Sequence, residues 1–308
     1  MRNYLGGLMG FVIGDILGFP LSGKTREELL KEPVTKLKPF DDTSIEEGTW
    51  SNNTSLLLTT IDSINAKCSI DYEDMMIKLS IYKNHASYTP LGLVLDIDRT
   101  TARSIDKYVE EKENPLLCGV ESSTTNKSLM RVFPLSYYAI DTHLKELEIL
   151  DLVKKVSSLT HPNEECKMAC YIFVRFAMFL INGKDKLAAY NMTKAVDYTM
   201  FTEDTRFKFD RLLKNNITDY KLKDIVSDDN VVNTLETTIW VLLNANNYKE
   251  SIIGSINLGD DTSSIGALVG ALAGILYGYE NIPEEWLDKI IKKDYIMDIF
   301  EEFCENKY

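Results

Sequence analysis

Leu56, Leu57, Ile61 and Ile64 follow one another at helical spacing behind the polar run "WSNNTS", and predict an amphipathic helix that begins near Ser51. The same period is visible through most of the chain. Residues 3–18 form an apolar, glycine-rich segment, and "GFPLSG" turns the chain after it. "TREELLK" over 25–31 reads as a short polar helix with Thr25 as its N-cap, and 32–50 reads as loop. A further helix is expected around 72–85. Residues 114–127, "NPLLCGVESSTTNK", read as a loop that leads into "SLMRVFPLSYYAI". "HPNEECKMACYIFVRFAMFLINGKDK" predicts a long helix ended by Gly183, and the polar segment 184–230 predicts helical pieces only. "VVNTLETTIWVLLNAN" and "YKESIIGSINLG" predict two more helices, and "IPEEWLDKI" places Pro283 near a first helical position. Runs of β-branched alternation are few. The pattern therefore predicts an all-α fold, one domain over residues 1–308, with no internal repeat and no low-complexity linker.

A chain of 308 residues is long enough for a large buried core. With 44% apolar and 26% charged residues it has the composition of a soluble globular protein, which excludes a disordered chain. The balance of 34 basic against 47 acidic residues gives a formal charge of -13, and such a surface repels phosphate backbones and anionic membranes. Neither nucleic acid nor membrane is expected as a partner, and no protein partner is indicated. Five cysteines without regular spacing argue against a disulfide framework. Cys166 and Cys170 share a helix face and read as buried thiols, since no second pair stands in a partner position for metal. Asp15 interrupts the apolar N-terminal run, which has no basic flank or cleavage signal, and "SIGALVGALAGILYGY" is short for a bilayer. A soluble, cytoplasmic protein is expected.

Candidate chemistry gathers in four pieces: "GDILGFPLS" at 14–22, "WSNNTS" at 50–55, "TTNKSLMR" at 124–131 and "LGDDTSSIGALVGALAGILYG" at 258–278. Each of them sets small polar residues beside an apolar helix. Amides, hydroxyls and carboxylates at helix starts suit a polar ligand or a cation, according to which group points inward. Capping accounts for Asp260 and Asp261 as readily as ligation does, and Asp15 is equally open to a capping role. His161, in "THP", reads as a cap or core residue, and His85 and His143 read as surface. No Ser-His-Asp arrangement can be assembled from a local motif.

Taken together, these pieces resemble the ADP-ribosylglycohydrolase family, which includes the dinitrogenase-reductase-activating glycohydrolases. "GFVIGDILGFPLS" is similar to the family's first-helix motif, and "TWSNNTSLLL" to its Thr-Asp-Asp-Thr motif. "NKSLMRVFPL" resembles its Asn-Gly-Ser-x-Met-Arg motif, and "LTHPNEEC" its Thr-His-Pro turn. The block from "VVNTLETTIW" to "ALAGILYG" resembles its C-terminal core, and "IPEEWL" its closing segment. The resemblance implies a single helical domain around a binuclear magnesium site that cleaves ADP-ribose from an acceptor.

Carried onto this chain, the resemblance places the metal-ligand positions at Ser51, Asn52, Asn53, Asp261, Ser263 and Ser264. The family glutamate falls on Ser22, which together with Asp261 marks the doubtful catalytic positions. Asp15, Asn52, Asn53, Asn126, Ser128 and Gly259 are the ligand-binding positions, and the family glycine after Asn126 is Lys127. Of four ligand aspartates, only Asp261 remains. Two magnesium ions about 4 Å apart repel strongly unless carboxylates neutralise them, and amides and hydroxyls bring no charge. The metal pair is therefore expected to be lost or much weakened, with at most one weak magnesium at Asp261. Asp-to-Asn exchange keeps shape, so a pocket for ADP-ribose or an ADP-ribosylated group is expected to survive. Two alternatives stay open: an active hydrolase with a rearranged or single-metal site using Asp260, Asp261 or Asp15, and an interaction protein that uses the scaffold without a ligand.

Overall fold

The structure, a computed structural model, describes residues 4–42 and 44–306. Asn3, the first residue of the expected apolar segment, and Thr43, inside the expected loop over 32–50, lie outside the described residues. In chain order the helices are α1 Tyr4–Gly18, α2 Arg26–Lys31, α3 Asn52–Lys67, α4 Tyr72–His85, α5 Arg99–Glu110, α6 Lys127–Val132, α7 Leu135–Asp141, α8 Glu146–Ser158 and α9 Glu164–Ile181. They continue with α10 Lys186–Lys194, α11 Glu203–Lys208, α12 Asp210–Leu213, α13 Val231–Asn244, α14 Tyr248–Ile256, α15 Thr262–Tyr277, α16 Glu284–Leu287 and α17 Lys293–Glu305. Among the described residues there is no strand. A lone bridge pairs Thr125 with Asn230.

Two helices at the centre position everything else. The glycines of α1 face those of α15, antiparallel, at a separation that no side chain fits. A Cβ on Gly10 would lie 2.2 Å from the carbonyl oxygen of Gly270, one on Gly14 1.8 Å from that of Gly266, and one on Gly18 2.3 Å from that of Thr262. Backbone thus packs on backbone, as small residues at four-residue spacing allow. Thr262 Oγ1 ties the end of the seam by donating to Gly18 O at 2.7 Å. The stretch Tyr4–Leu21 is apolar and long enough to cross a bilayer, and 83% of it is buried inside the protein. A continuous core surrounds the seam, built on Trp50, Phe11, Phe133, Phe173, Tyr137 and Tyr248, all buried.

Local chemistry explains most of the boundaries. Thr25 caps α2 in a capping box with Glu28, as "TREE" predicts. Gly183, at φ +80, ends the turn after α9. "SLMRVFPLSYYAI" is split into α6 and α7 at Pro134, which has no N–H to continue the ladder, and α6 begins at Lys127, inside the segment expected to be loop. Pro283 is the N-cap of α16 rather than its first residue, because its ψ of 126° is extended. The polar stretch 184–230 contains α10, α11, α12 and two 3-10 turns.

Candidate functional site

The site lies where α15 begins, one turn beyond Asp15 on α1. Four helix-linked pieces converge there: Asp15, the start of α3, the start of α6 and the start of α15.

Asp15 is fully buried and its carboxylate holds the start of α3. Oδ1 accepts from Ser51 Oγ at 2.6 Å and Asn53 Nδ2 at 3.2 Å. Oδ2 accepts from Ser51 N at 3.0 Å, Thr54 N at 3.2 Å and Thr54 Oγ1 at 2.7 Å. A negative group at a helix start compensates the unpaired N–H groups there. Burial raises its pKa, against the opposing hydrogen bonds from Ser51, Thr54 and Asn53. Ser51 is the N-cap itself, its Oγ accepting from Asn53 N at 3.1 Å. A second carboxylate, Asp96, accepts from Asn52 N at 3.0 Å. Burial pushes Asp96 up to about 6, Lys127 opposing and Asp15 adding. Asp98, the N-cap of α5, accepts from Thr101 N at 2.8 Å.

Lys127 enters between the pieces. Its Nζ donates to Asn53 Oδ1 at 2.9 Å and to Ser264 Oγ at 2.7 Å, and Ser264 Oγ lies 3.4 Å from Asn53 Oδ1. Burial pushes the ammonium down, but Asp261, then Asp96, Asp98 and Asp15, more than offset it, so its pKa ends above the ordinary value. Asp261 caps α15: its carboxylate accepts from Ser264 N at 3.4 Å and from Asn126 Nδ2 at 2.7 Å. Asn126 Nδ2 also donates to Thr234 Oγ1 at 2.8 Å. Two amide oxygens of this cluster, Asn52 Oδ1 and Asn126 Oδ1, are buried without a partner. Buried acceptors left in this state are costly, and a ligand with hydroxyl donors relieves them.

A buried relay holds the loop that delivers Asn126 and Lys127. Arg131 donates to Thr160 Oγ1 at 2.7 Å, which lies 2.6 Å from His161 Nδ1, and His161 Nε2 lies 2.8 Å from Thr125 Oγ1. Burial lowers His161 to about 3, so the ring is neutral at physiological pH and acts as a spacer in the core. His85 and His143 are exposed. Cys166 and Cys170 are buried on one face of α9, Cys170 donating to Ser128 Oγ at 3.3 Å.

The other expected positions are placed as follows. Ser263 is buried beside Ser264 at the start of α15. Ser128 is turned to Cys170, behind the cluster. Ser22 is exposed after the turn Phe19–Leu21, its N–H on Phe19 O. Gly259, at φ +81, lets the chain pass the backbone of Thr25 and Arg26, where a Cβ would meet Arg26 N at 2.4 Å. Asp260 turns to Ser227 Oγ, 3.3 Å away, on the side where Arg26 lies. Asp96 and Asp98 sit in no motif, and no spacing signal points to them.

The donor set does not fit a pair of magnesium ions. Asp261 is the one carboxylate among the expected ligand positions Ser51, Asn52, Asn53, Asp261, Ser263 and Ser264, and both its oxygens are already engaged. Asn53 Oδ1 and Ser264 Oγ are held by an ammonium. A divalent ion about 4 Å from that ammonium is repelled by roughly 8 kcal/mol at a surface-like dielectric of about 20. Among the described residues no group of three or more His, Cys, Asp or Glu is arranged to hold a metal ion.

Comparison with known proteins agrees with this architecture. The family model described as ADP-ribosylglycohydrolase matches residues 1–308. An ADP-ribosylarginine hydrolase, Tri1, of Serratia proteamaculans is 28% identical over 96% of this chain and 77% of its own length. The ADP-ribosyl-[dinitrogen reductase] glycohydrolase of Rhodospirillum rubrum is 24% identical over 94% of this chain and 90% of its own. A solved structure titled ADP-ribosylglycohydrolase-related protein complex superposes with a TM-score of 0.81 at 21% identity, covering 98% of this chain and 96% of that one. It shares the all-α fold. With the match running from the glycine seam through the polar cluster to the closing helix, the chain belongs to the ADP-ribosylglycohydrolase family.

Proposed function

We propose that the protein binds ADP-ribose or an ADP-ribosylated group and does not hydrolyse it by the two-magnesium route. The observation that carries this is the pair of buried, unpartnered amide oxygens, Asn52 Oδ1 and Asn126 Oδ1, on the residues next in the chain to Asn53 and Lys127, which are bonded to each other. A ribose offers hydroxyl donors to these two oxygens and hydroxyl acceptors to the Lys127 ammonium. The relatives named for ADP-ribosylarginine and ADP-ribosylated dinitrogen reductase support an ADP-ribosyl ligand. The neutral Asn52, Asn53 and Ser263 support loss of the metal-dependent step, which needs charged oxygens around its ions.

Titration calorimetry with ADP-ribose, in EDTA and in MgCl2, tests binding, and chromatography of ADP-ribosyl-arginine incubated with the protein tests cleavage. Heat of binding without release of ADP-ribose is expected. No heat in either buffer sinks the binding reading, and magnesium-dependent release sinks the claim of lost hydrolysis.

Asp96 supports a second reading, hydrolysis without metal. Its carboxyl, pushed up to about 6 beside Asn52, has the acidity of a general base for water. Release of ADP-ribose in EDTA that Asp96→Asn abolishes is the outcome that distinguishes it.

A further inference from the structure

We propose that the Lys127 ammonium is a tethered cation standing where the family places its metal, so that this site takes the sugar end of its ligand through Lys127 with no divalent ion. The inference rests on the ligand reading above for its second half only; the exclusion of metal stands on the geometry of the site itself.

Three observations carry it. Lys127 Nζ is bonded to Asn53 Oδ1 and Ser264 Oγ, and both residues occupy ligand positions of the family site. Those two oxygens come from different helices, α3 and α15, which the sequence separates by about two hundred residues (|i−j| = 211). A single ammonium therefore joins α3 to α15, as a bridging ion would. The second observation is charge. Asp261, Asp96, Asp98 and Asp15 all act on the ammonium, Asp261 most strongly, and one internal positive charge offsets their like charges. The third is valence. An ammonium has three N–H donors, of which two are engaged, and the side chain is only partly buried. One donor is left for the ligand.

The same arrangement selects what that donor receives. The negative charge of Asp261, Asp96, Asp98 and Asp15 felt at Lys127 disfavours a phosphate there, whereas a neutral sugar hydroxyl can accept from Lys127 without added charge. The ligand end at Lys127 is thus a polyol, the terminal ribose rather than the diphosphate.

Metal retention is read first, on protein alone, by the electron paramagnetic resonance signal of free Mn²⁺ during titration. The expected result is no stoichiometric Mn²⁺ uptake. Uptake of one or two ions per chain overturns the exclusion of metal. ADP-ribose affinity is then compared in EDTA and in MgCl2. Equal affinities in the two buffers are expected, and a tenfold gain in MgCl2 overturns the proposal. Lys127→Met is expected to weaken ADP-ribose at least tenfold in both buffers and to leave ADP, which lacks the terminal ribose, unaffected. An unchanged affinity of Lys127→Met for ADP-ribose overturns the role of the lysine. If that variant does not fold, Lys127→Arg, which keeps the charge, is compared with wild type: no Mn²⁺ uptake by either is expected, and uptake by the variant counts against the proposal. Failure of ADP-ribose to bind in any buffer, with no Mn²⁺ uptake, overturns the ligand reading and upholds the exclusion of metal.

Discussion

Asp15 and Thr54 meet through two hydrogen bonds, with Asp15 Oδ2 accepting both the hydroxyl and the backbone N–H of Thr54. Together with the bonds from Ser51 and Asn53, this makes one aspartate on α1 the fastening point for the start of α3. Every group facing it is a donor. Asp15→Ala is expected to leave Ser51 N and Thr54 N buried without acceptors and to cost about 3 kcal/mol. Asp15→Asn is expected to cost nearly as much, because its NH2 meets a donor in either orientation. Urea unfolding followed by far-ultraviolet circular dichroism measures both.

The seam between α1 and α15 gives a sharper contrast. Gly14→Ala would place a methyl 1.8 Å from Gly266 O, and Gly266→Ala would place one 2.5 Å from Gly14 O. Each is expected to lower stability by about 3 kcal/mol, since backbone atoms cannot step aside. Gly254, on the exposed side of α14, has only Val241 Cγ1 at 3.8 Å. Gly254→Ala is expected to raise stability by up to about 1 kcal/mol through helix propensity. Melting temperatures of the three variants test the ordering.

Asp96 predicts a pH dependence of stability. Its folded pKa of about 6 lies above the unfolded carboxylate value near 3.9. The folded state therefore holds the proton more tightly, so the favourable contribution is complete below about pH 4 and is lost as pH rises through about 6. A shift of about two units corresponds to about 3 kcal/mol. Asp96→Asn keeps an acceptor for Asn52 N–H and removes the titration. The difference in unfolding free energy between variant and wild type is expected to grow in the variant's favour from pH 4 to pH 6 and to level above it.

Carboxylates added at the expected ligand positions are expected to create a metal centre. A variant carrying Lys127→Gly, Asn52→Asp, Asn53→Asp and Ser263→Asp together removes the ammonium and places three carboxylates near Asp261. It is expected to take up Mn²⁺ and to melt at higher temperature in MgCl2 than in EDTA, by mass action on the folded state. Lys127→Gly alone, with the neutral amides still in place, is expected to do neither. Thermal shift in the two buffers checks this.

How much of this was legible in the chain depended on how local each cause is. Thr25 with Glu28 and Gly183 after α9 act within a few residues, and the pattern of the sequence exposes such short-range causes, whereas the break at Pro134 inside "SLMRVFPLSYYAI" was not read from it. The helices α5, α8 and α17 are largely polar on the surface side and offered no run that stood out. The four motif pieces were visible, but their meeting was not, because Asn53 and Ser264 are joined only through the tertiary packing of α3 on α15. Lys127 was visible as a substitution, yet the direction of a flexible four-carbon stem is set by the carboxylates it finds. Asp96 and Asp98 belong to no motif. Their place depends on a loop that carries them to the N-terminus of α3 and the start of α5. Asp15 was open between ligand and cap, and the five donors on its carboxylate are legible only in the fold.

The backbone contact between α1 and α15 has a consequence for how such a site can diverge. With carbonyl oxygens where side chains would have to go, the distance between Asp15 and the start of α15 is set by peptide groups and cannot drift. Change is then confined to the polar side chains of the cluster, where an aspartate can become an asparagine or a glycine a lysine while the helices stay still. The chemistry of the cluster becomes interchangeable, like a fitting in a socket of fixed bore, and an exchange there need not loosen the fold that holds it.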